Sequence, residues 1–177
     1  DHSLFGSNAS YGADVSYGFG SDWRLRASLG DGRKAPTLFQ LLSNYGNTTL
    51  QPEESTSFDL GLEKGRRGKG THLALTAFRR DSEDLIGFVS CFGITGGICA
   101  DDNTDRARAQ GIEAEAGFDL ASGLRLSAVY SYIDTEDRTT GLRLARRPRH
   151  MGTLFADYEA PFGLTLGADL RLVGPSF

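Results

Sequence analysis

Residues 164–172 have the sequence LTLGADLRL, in which leucine or alanine alternates with a polar residue or glycine. Because successive side chains of a β-strand point to opposite faces, this pattern predicts a strand with one apolar and one polar face. The same alternation predicts strands near residues 9–19, 23–29, 57–63 and 124–132. Less regular alternation predicts three more, near residues 72–80, 106–120 and 150–158. The sequence therefore predicts an all-β protein of about eight antiparallel strands, with no convincing helix.

The connections between these strands alternate between short and long. Short turns are expected near residues 18–22, 64–70, 121–123 and 159–163, and long loops near 30–52, 87–105 and 134–148. Outer-membrane β-barrels have this asymmetry, because their periplasmic turns are short and their outer loops are longer. Aromatic residues near strand ends on the apolar face are typical of the girdles at the two membrane interfaces. We therefore predict a segment of an antiparallel up-and-down transmembrane β-barrel, with a soluble β-sandwich binding module as an alternative.

One predicted strand changes phase. Near residues 106–120, Ala107 and Ala109 are out of step with the apolar set that begins at Ile112. An extra residue in one strand of a pair absorbs a change of one position, and a glycine in a strand often marks such a site. We therefore predict a β-bulge at Gly111.

The composition excludes several classes of protein. No apolar run approaches the roughly 20 residues that a membrane helix needs. The net charge of −4 gives no electrostatic basis for binding nucleic acid. The three histidines, His2, His72 and His150, lie far apart in the sequence, and no nucleophile–base pair can be built from them. We therefore expect no nucleic-acid partner, no enzymatic activity and no cofactor.

The two cysteines, Cys91 and Cys99, lie close together in one glycine-rich stretch. A close pair with no metal-ligand set nearby favours a small loop disulfide formed in an oxidising compartment. Two free thiols are the alternative.

An acidic stretch follows the cysteines. Asp101, Asn103 and Asp105 have the alternate spacing of a calcium-binding loop. Arg106 stands where an EF-hand needs glycine, and Ile112 stands where it needs glutamate, so an EF-hand is excluded. A solvated acidic loop is the preferred interpretation, and a looser calcium site is a weak candidate.

The predicted strand directions place both ends of the chain on the side of the long loops. A complete single-chain barrel of this kind begins and ends on the side of its short turns. A piece of eight strands also leaves two unpaired edges, which a bilayer does not tolerate. Residues 1–177 are therefore expected to form part of the barrel domain of a larger protein. A complete small barrel with a structural or adhesive role is the alternative.

Several motifs resemble the barrel of bacterial TonB-dependent outer-membrane receptors. They occur in the family's order: GRKAPTLFQL (32–41), YGN (45–47), LQPEES (50–55), DLI (84–86), QGIE (110–113), YSYID (130–134) and RPRH (147–150). Lys34 stands where the family usually has an aromatic residue, and Gln51 where it usually has lysine. PTLFQL is most similar to the cobalamin-receptor subgroup, although siderophore and haem receptors share much of the pattern.

The resemblance implies a barrel of about 22 strands closed around a plug in the bacterial outer membrane. It also implies active import of a scarce nutrient, either cobalamin or an iron chelate such as a siderophore or haem. The implied partners are outer-membrane lipid, the small-molecule nutrient and a TonB-type energy transducer. In this family the transducer acts on a segment near the N-terminus of the receptor, outside these residues.

For contact with the nutrient we favour loop residues, because binding residues concentrate on loops held by a rigid scaffold. The candidates are Asn44, Tyr45, Asn47, Phe92 and Ile94. An ordinary loop role is the alternative for each of them.

Overall fold

The computed structural model describes residues 5–7, 9–89 and 99–176, which contain eight strands and one short helix. The elements are β1 (Gly12–Phe19), β2 (Trp23–Lys34), α1 (Leu38–Leu42), β3 (Glu53–Arg66), β4 (Lys69–Val89), β5 (Ala100–Ala121), β6 (Leu124–Asp137), β7 (His150–Glu159) and β8 (Thr165–Val173). All strands lie in one sheet in sequence order, and each pairs antiparallel with the next. The predicted all-β antiparallel meander is therefore confirmed. No helix among the described residues is long and apolar enough to cross a membrane.

The register keeps the apolar side chains of neighbouring strands on one face. Ala27 of β2 pairs with Val15 of β1 and with Leu60 of β3, and Leu60 in turn pairs with Ala77 of β4. The large apolar side chains of this face are exposed rather than packed in a core. A continuous exposed apolar face across a whole sheet is what a lipid-facing barrel wall presents. We call this face the outward face and the opposite, polar face the inward face.

Two of the alternatives do not match this arrangement. A β-sandwich buries its apolar residues between two stacked sheets, whereas the described residues form a single sheet. A closed eight-strand barrel requires β1 to pair with β8, and no such pairing occurs among the described residues.

Short and long connections alternate as predicted. The short ones are residues 20–22, 67–68, 122–123 and 160–164, and the long ones lie at 35–52, between Val89 and Ala100, and at 138–149. The predicted loop at 87–105 is too long at both ends, because β4 and β5 have 21 and 22 residues. A strand needs only about 9–11 residues to cross the membrane, so these two extend well beyond it.

The predicted bulge at Gly111 is wrong. Gly111 pairs with Phe78 of β4 and with Ile133 of β6 without a shift of register. The change of phase is instead a change in the chemistry of the outward face, because Arg108 and Gln110 continue that face with polar side chains. The observed register shifts lie elsewhere, between Lys64 and Arg66, from Ser82 to Ile86, and between Asp119 and Ala121.

Candidate functional site

The long loop between β2 and β3 contains two buried leucines. Leu50 and Leu41 are only 1% and 4% exposed, which is unusual in a protein whose sheet has no buried side. Helix α1, which differs from the expectation of no helix, supplies Leu41. Its N-cap, Thr37, accepts a hydrogen bond from the Gln40 backbone N–H, and the Gln40 side chain accepts one from the Thr37 N–H at 2.9 Å. This capping box fixes a helix that is too short to be stable through its own hydrogen bonds.

Asn103 of β5 fastens this loop to the tall β4–β5 hairpin. Its Oδ1 accepts a hydrogen bond from the Gln51 N–H at 2.7 Å, and its Nδ2 donates to the Gln51 carbonyl at 2.9 Å and the Asp84 carbonyl at 2.6 Å. Two further bonds support the junction: the Asp101 N–H donates to the Tyr45 carbonyl at 2.8 Å, and the Ile86 N–H donates to Glu53 Oε1 at 3.2 Å. We call residues 35–52, together with residues 84–89 of β4 and 100–103 of β5, the β2–β3 rim.

The structure places three of the predicted contact residues in this rim, in different environments. The side chain of Asn44 is exposed, and Tyr45 is 55% exposed with its ring edge-on to Phe88 at a centroid distance of 5.7 Å. Asn47 Oδ1 accepts hydrogen bonds from the Thr49 N–H and hydroxyl at 2.9 and 2.6 Å, so this side chain shapes the turn. Asn44 and Tyr45 are therefore the better placed of the three to touch a ligand.

The β2–β3 rim also exposes apolar and aromatic side chains other than Tyr45. Helix α1 contributes Leu38, Phe39 and Leu42, of which Phe39 is 73% exposed, and the hairpin contributes Phe88. Rigid aromatic side chains on a fixed scaffold give much contact area at little conformational cost, as binding surfaces require. The one sequence signal for α1 is the capping-box spacing of Thr37 and Gln40, because the helix is too short to show a period.

The other predicted positions lie partly outside the described residues. Phe92, Ile94 and Cys91 are outside them, so their contact and disulfide roles stay predictions. Cys99 is in a disulfide bond.

Asn103, one of the residues considered for a calcium site, has a structural role instead. Asn103 Oδ1 is engaged by the Gln51 N–H, and Asp102 Oδ1 accepts a hydrogen bond from the Asn103 N–H at 2.9 Å. Within the described residues, no group of three or more His, Cys, Asp or Glu side chains is arranged to hold a metal ion. Asp101 and Asn103 are thus structural parts of the rim, and we do not propose a calcium site.

The inward face carries paired charges rather than a packed core. Glu63 lies 2.6 Å from Arg26 and 3.5 Å from Arg24, and the Ser28 hydroxyl donates to Asp59 at 2.9 Å. Such side chains suit a hydrated or plugged barrel interior, because they are expensive to expose to lipid.

One sheet with a lipid-compatible outward face, a polar inward face and alternately short and long connections is the wall of an outer-membrane β-barrel. Residues 1–177 match the family model described as TonB dependent receptor-like, beta-barrel. The chain belongs to this family, and it is a protein of the bacterial outer membrane.

Solved structures of larger receptors contain a similar sheet. A variant of the ferric enterobactin receptor PfeA from Pseudomonas aeruginosa matches 98% of this chain and 28% of its own, with 26% identity and a TM-score of 0.84. The siderophore receptor PirA from Pseudomonas aeruginosa matches 100% and 33%, with 25% identity and a TM-score of 0.81. The copper transporter OprC matches 92% and 26%, with 20% identity and a TM-score of 0.77, which shows the shared fold. The chain spans about a quarter to a third of these proteins.

Proposed function

We propose that this chain is part of the barrel of a receptor that imports a scarce, metal-bearing nutrient, with energy from a TonB-type transducer. The membership of the whole chain in the TonB-dependent receptor family carries this proposal. The nutrient is cobalamin or an iron chelate. An iron siderophore is the first cargo to test, because two of the similar structures at 25% identity or above are receptors for siderophores or ferric enterobactin.

We assign the β2–β3 rim as one contact surface for the nutrient. Its exposed Tyr45 and Phe88 form an aromatic pair at a centroid distance of 5.7 Å, and Asn44 beside them adds a polar side chain. The buried Leu50 and the Asn103 hydrogen bonds hold this surface in place before a ligand arrives. A preorganised aromatic surface loses little conformational entropy on binding, so it favours tight capture of a dilute nutrient.

Uptake by cells is the direct test. The full natural protein would be expressed in a strain that lacks its own siderophore and cobalamin receptors, with and without the transducer. Uptake of radiolabelled ferric siderophores and of cobalamin would then be measured. We expect transport of one class, abolished without the transducer. Transport that persists without it, or no transport and no binding of either class by a folded protein, would contradict the proposal.

The rim assignment is tested by ligand affinity. Tyr45→Ala should weaken binding of the transported nutrient about tenfold or more, as expected for an aromatic anchor. Tyr158→Ala is the matched control, because Tyr158 is a partly exposed tyrosine at the opposite end of the sheet. Equal affinities of the Tyr45→Ala variant and the control would remove the rim from the binding site while leaving the transport proposal intact.

A further inference from the structure

The outward face changes character from one end to the other. Along β6, Leu126 and Ala128 are followed on the same face by Tyr130, Tyr132, Asp134 and Glu136, the last residues before the long loop. His150 of β7 pairs with Tyr132, and its Nδ1 lies 2.7 Å from the Tyr130 hydroxyl. Tyrosine and histidine rings with polar tips are suited to the membrane interface, so this aromatic belt marks the level of the outer headgroups.

Immediately beyond the belt, the outward face becomes charged on three strands. The register places Arg79 of β4 opposite Gln110 of β5 and Gln110 opposite Asp134 of β6. One step further out, Asp81 lies opposite Arg108, and Arg108 lies opposite Glu136. These residues occupy the height at which lipid headgroups meet the protein.

Arginine outnumbers carboxylate in this patch. Asp81 lies 2.7 Å from Arg79 and 2.6 Å from Arg108. Asp134 lies 2.9 Å from Arg149 and 3.8 Å from Arg143, and Glu136 lies 3.4 Å from Arg138. We call the five arginines Arg79, Arg108, Arg138, Arg143 and Arg149 the arginine ledge. Three carboxylates hold five guanidinium groups, which leaves a surplus of two positive charges.

The neighbouring loop strengthens this surplus. Residues 138–149 contain no acidic residue, and they add two arginines to the three that already belong to the ledge. These two, Arg146 and Arg147, are exposed. Each guanidinium group has five N–H donors, and Asp81 and Asp134 are each shared by two arginines. The carboxylates therefore orient the arginines while using only some of these donors. About half of the Arg79 side chain is exposed, as is 43% of Arg149.

We propose that the arginine ledge binds the phosphate groups of an anionic glycolipid of the outer leaflet. Arginine forms bidentate hydrogen bonds to phosphate, and basic clusters beside a membrane-spanning wall bind anionic headgroups. The occupant is a lipid rather than the imported nutrient, because these side chains meet on the face that carries Leu126 and Tyr130, away from the inward face. Acyl chains of such a lipid would lie along the apolar outward face below.

Binding of lipid to the purified natural protein tests the proposal. The protein would be delipidated in detergent and titrated with a bis-phosphorylated hexa-acyl glycolipid, and bound lipid would be counted by native mass spectrometry. We expect saturable binding that weakens as salt rises. The double variant Arg108→Gln with Arg149→Gln should weaken it about tenfold or more. The double variant Arg24→Gln with Arg26→Gln, which removes the same charge from the inward face, should not.

Further arms separate lipid from other anions. The dephosphorylated glycolipid should bind at least tenfold more weakly, and millimolar inorganic phosphate alone should not saturate the ledge. Arg108→Lys with Arg149→Lys keeps the charge and should retain part of the binding, which covers the case in which the glutamine variant does not fold. Equal binding by the ledge and inward-face variants, or equal binding of the dephosphorylated lipid, would overturn the proposal. The proposal would also be overturned if the ledge variant Arg108→Gln with Arg149→Gln lost affinity for the nutrient while its lipid binding stayed unchanged.

Discussion

The β2–β3 rim and the arginine ledge both stand at the outer end of the sheet, yet they are held together differently. The rim buries two leucines and closes with uncharged hydrogen bonds around Asn103. The ledge has little buried apolar surface and relies on partly exposed ion pairs such as that of Arg149 with Asp134. Full burial of a leucine side chain contributes about 1.5–3 kcal/mol to stability, whereas an exposed ion pair contributes about 0–1 kcal/mol. A rigid rim suits a preformed binding surface, and a weakly paired ledge leaves its charge free for an outside ligand.

The largest expected effect is on the rim core. Leu50→Ala removes a side chain that is 1% exposed and should destabilise the closed rim by about 2–4 kcal/mol, through lost burial and a residual cavity. Hydrogen–deuterium exchange of residues 40–51 in the full natural protein would measure this loss. The matched control is Leu38→Ala, because Leu38 is 68% exposed in the same loop. Similar exchange in the two variants would show that the rim has no core of its own and would erase the contrast with the ledge.

A smaller effect is expected at the fastening point. Asn103→Ala removes three hydrogen bonds to backbone groups, each worth roughly 0.5–1.5 kcal/mol. Because water can replace part of these exposed bonds, we expect the rim to loosen by about 1–3 kcal/mol. Asn103→Asp keeps the acceptor for the Gln51 N–H, loses both donors and adds a charge beside Asp102. Exchange of the Gln51 amide and protease cleavage in residues 35–52 are the measurements, with Asn44→Ala as the control. Protection that survives in Asn103→Ala would mean that Leu50 alone holds the rim.

Strict alternation in the sequence was enough to predict the sheet. Residues 164–172 alternate strictly, and residues 124–132 do so except at Val129; β8 and β6 form there with the expected faces. The phase change before Ile112 predicts a bulge only if apolarity is the sole mark of the outward face, and the register shows that it is not. Beyond the aromatic belt that face turns polar, so Arg108 and Gln110 keep the register while departing from the hydrophobic pattern.

The rim could be predicted only in part. The motif at residues 32–41 located the loop, and Tyr45 is in fact exposed there. The role of Asn103 depends on contact with Gln51, 52 positions away, and no local pattern reveals such a contact. Leu41 and Leu50 belong to a core of two loop segments, which periodicity cannot detect because neither segment is long enough to repeat.

The smallest expected effect is on the ledge side, where the long loop leaves β6 outside the membrane. The Thr140 hydroxyl and the Thr139 N–H each donate to the Asp137 carboxylate at 2.7 Å, and these bonds lower the pKa of Asp137 below its ordinary value of 3.8. A lowered pKa in the folded loop means that the stabilisation is fully present above the ordinary pKa and is lost as pH falls through the folded value. Asp137→Asn, which keeps an acceptor but cannot titrate, is the control.

Cleavage of residues 138–149 by an acid-tolerant protease, compared with a pH-matched peptide substrate, would measure this effect from neutral pH to about pH 3. Relative cleavage should stay constant down to about pH 5 and rise modestly below it, because an exposed carboxylate is well screened by solvent. The β2–β3 rim, closed by Leu50 and the Asn103 amide, should show no comparable rise over the same range. If the rim instead opened at a higher pH than residues 138–149, the contrast would be reversed. The stability of the rim would then depend on acidic residues such as Asp101 and Asp102 rather than on burial.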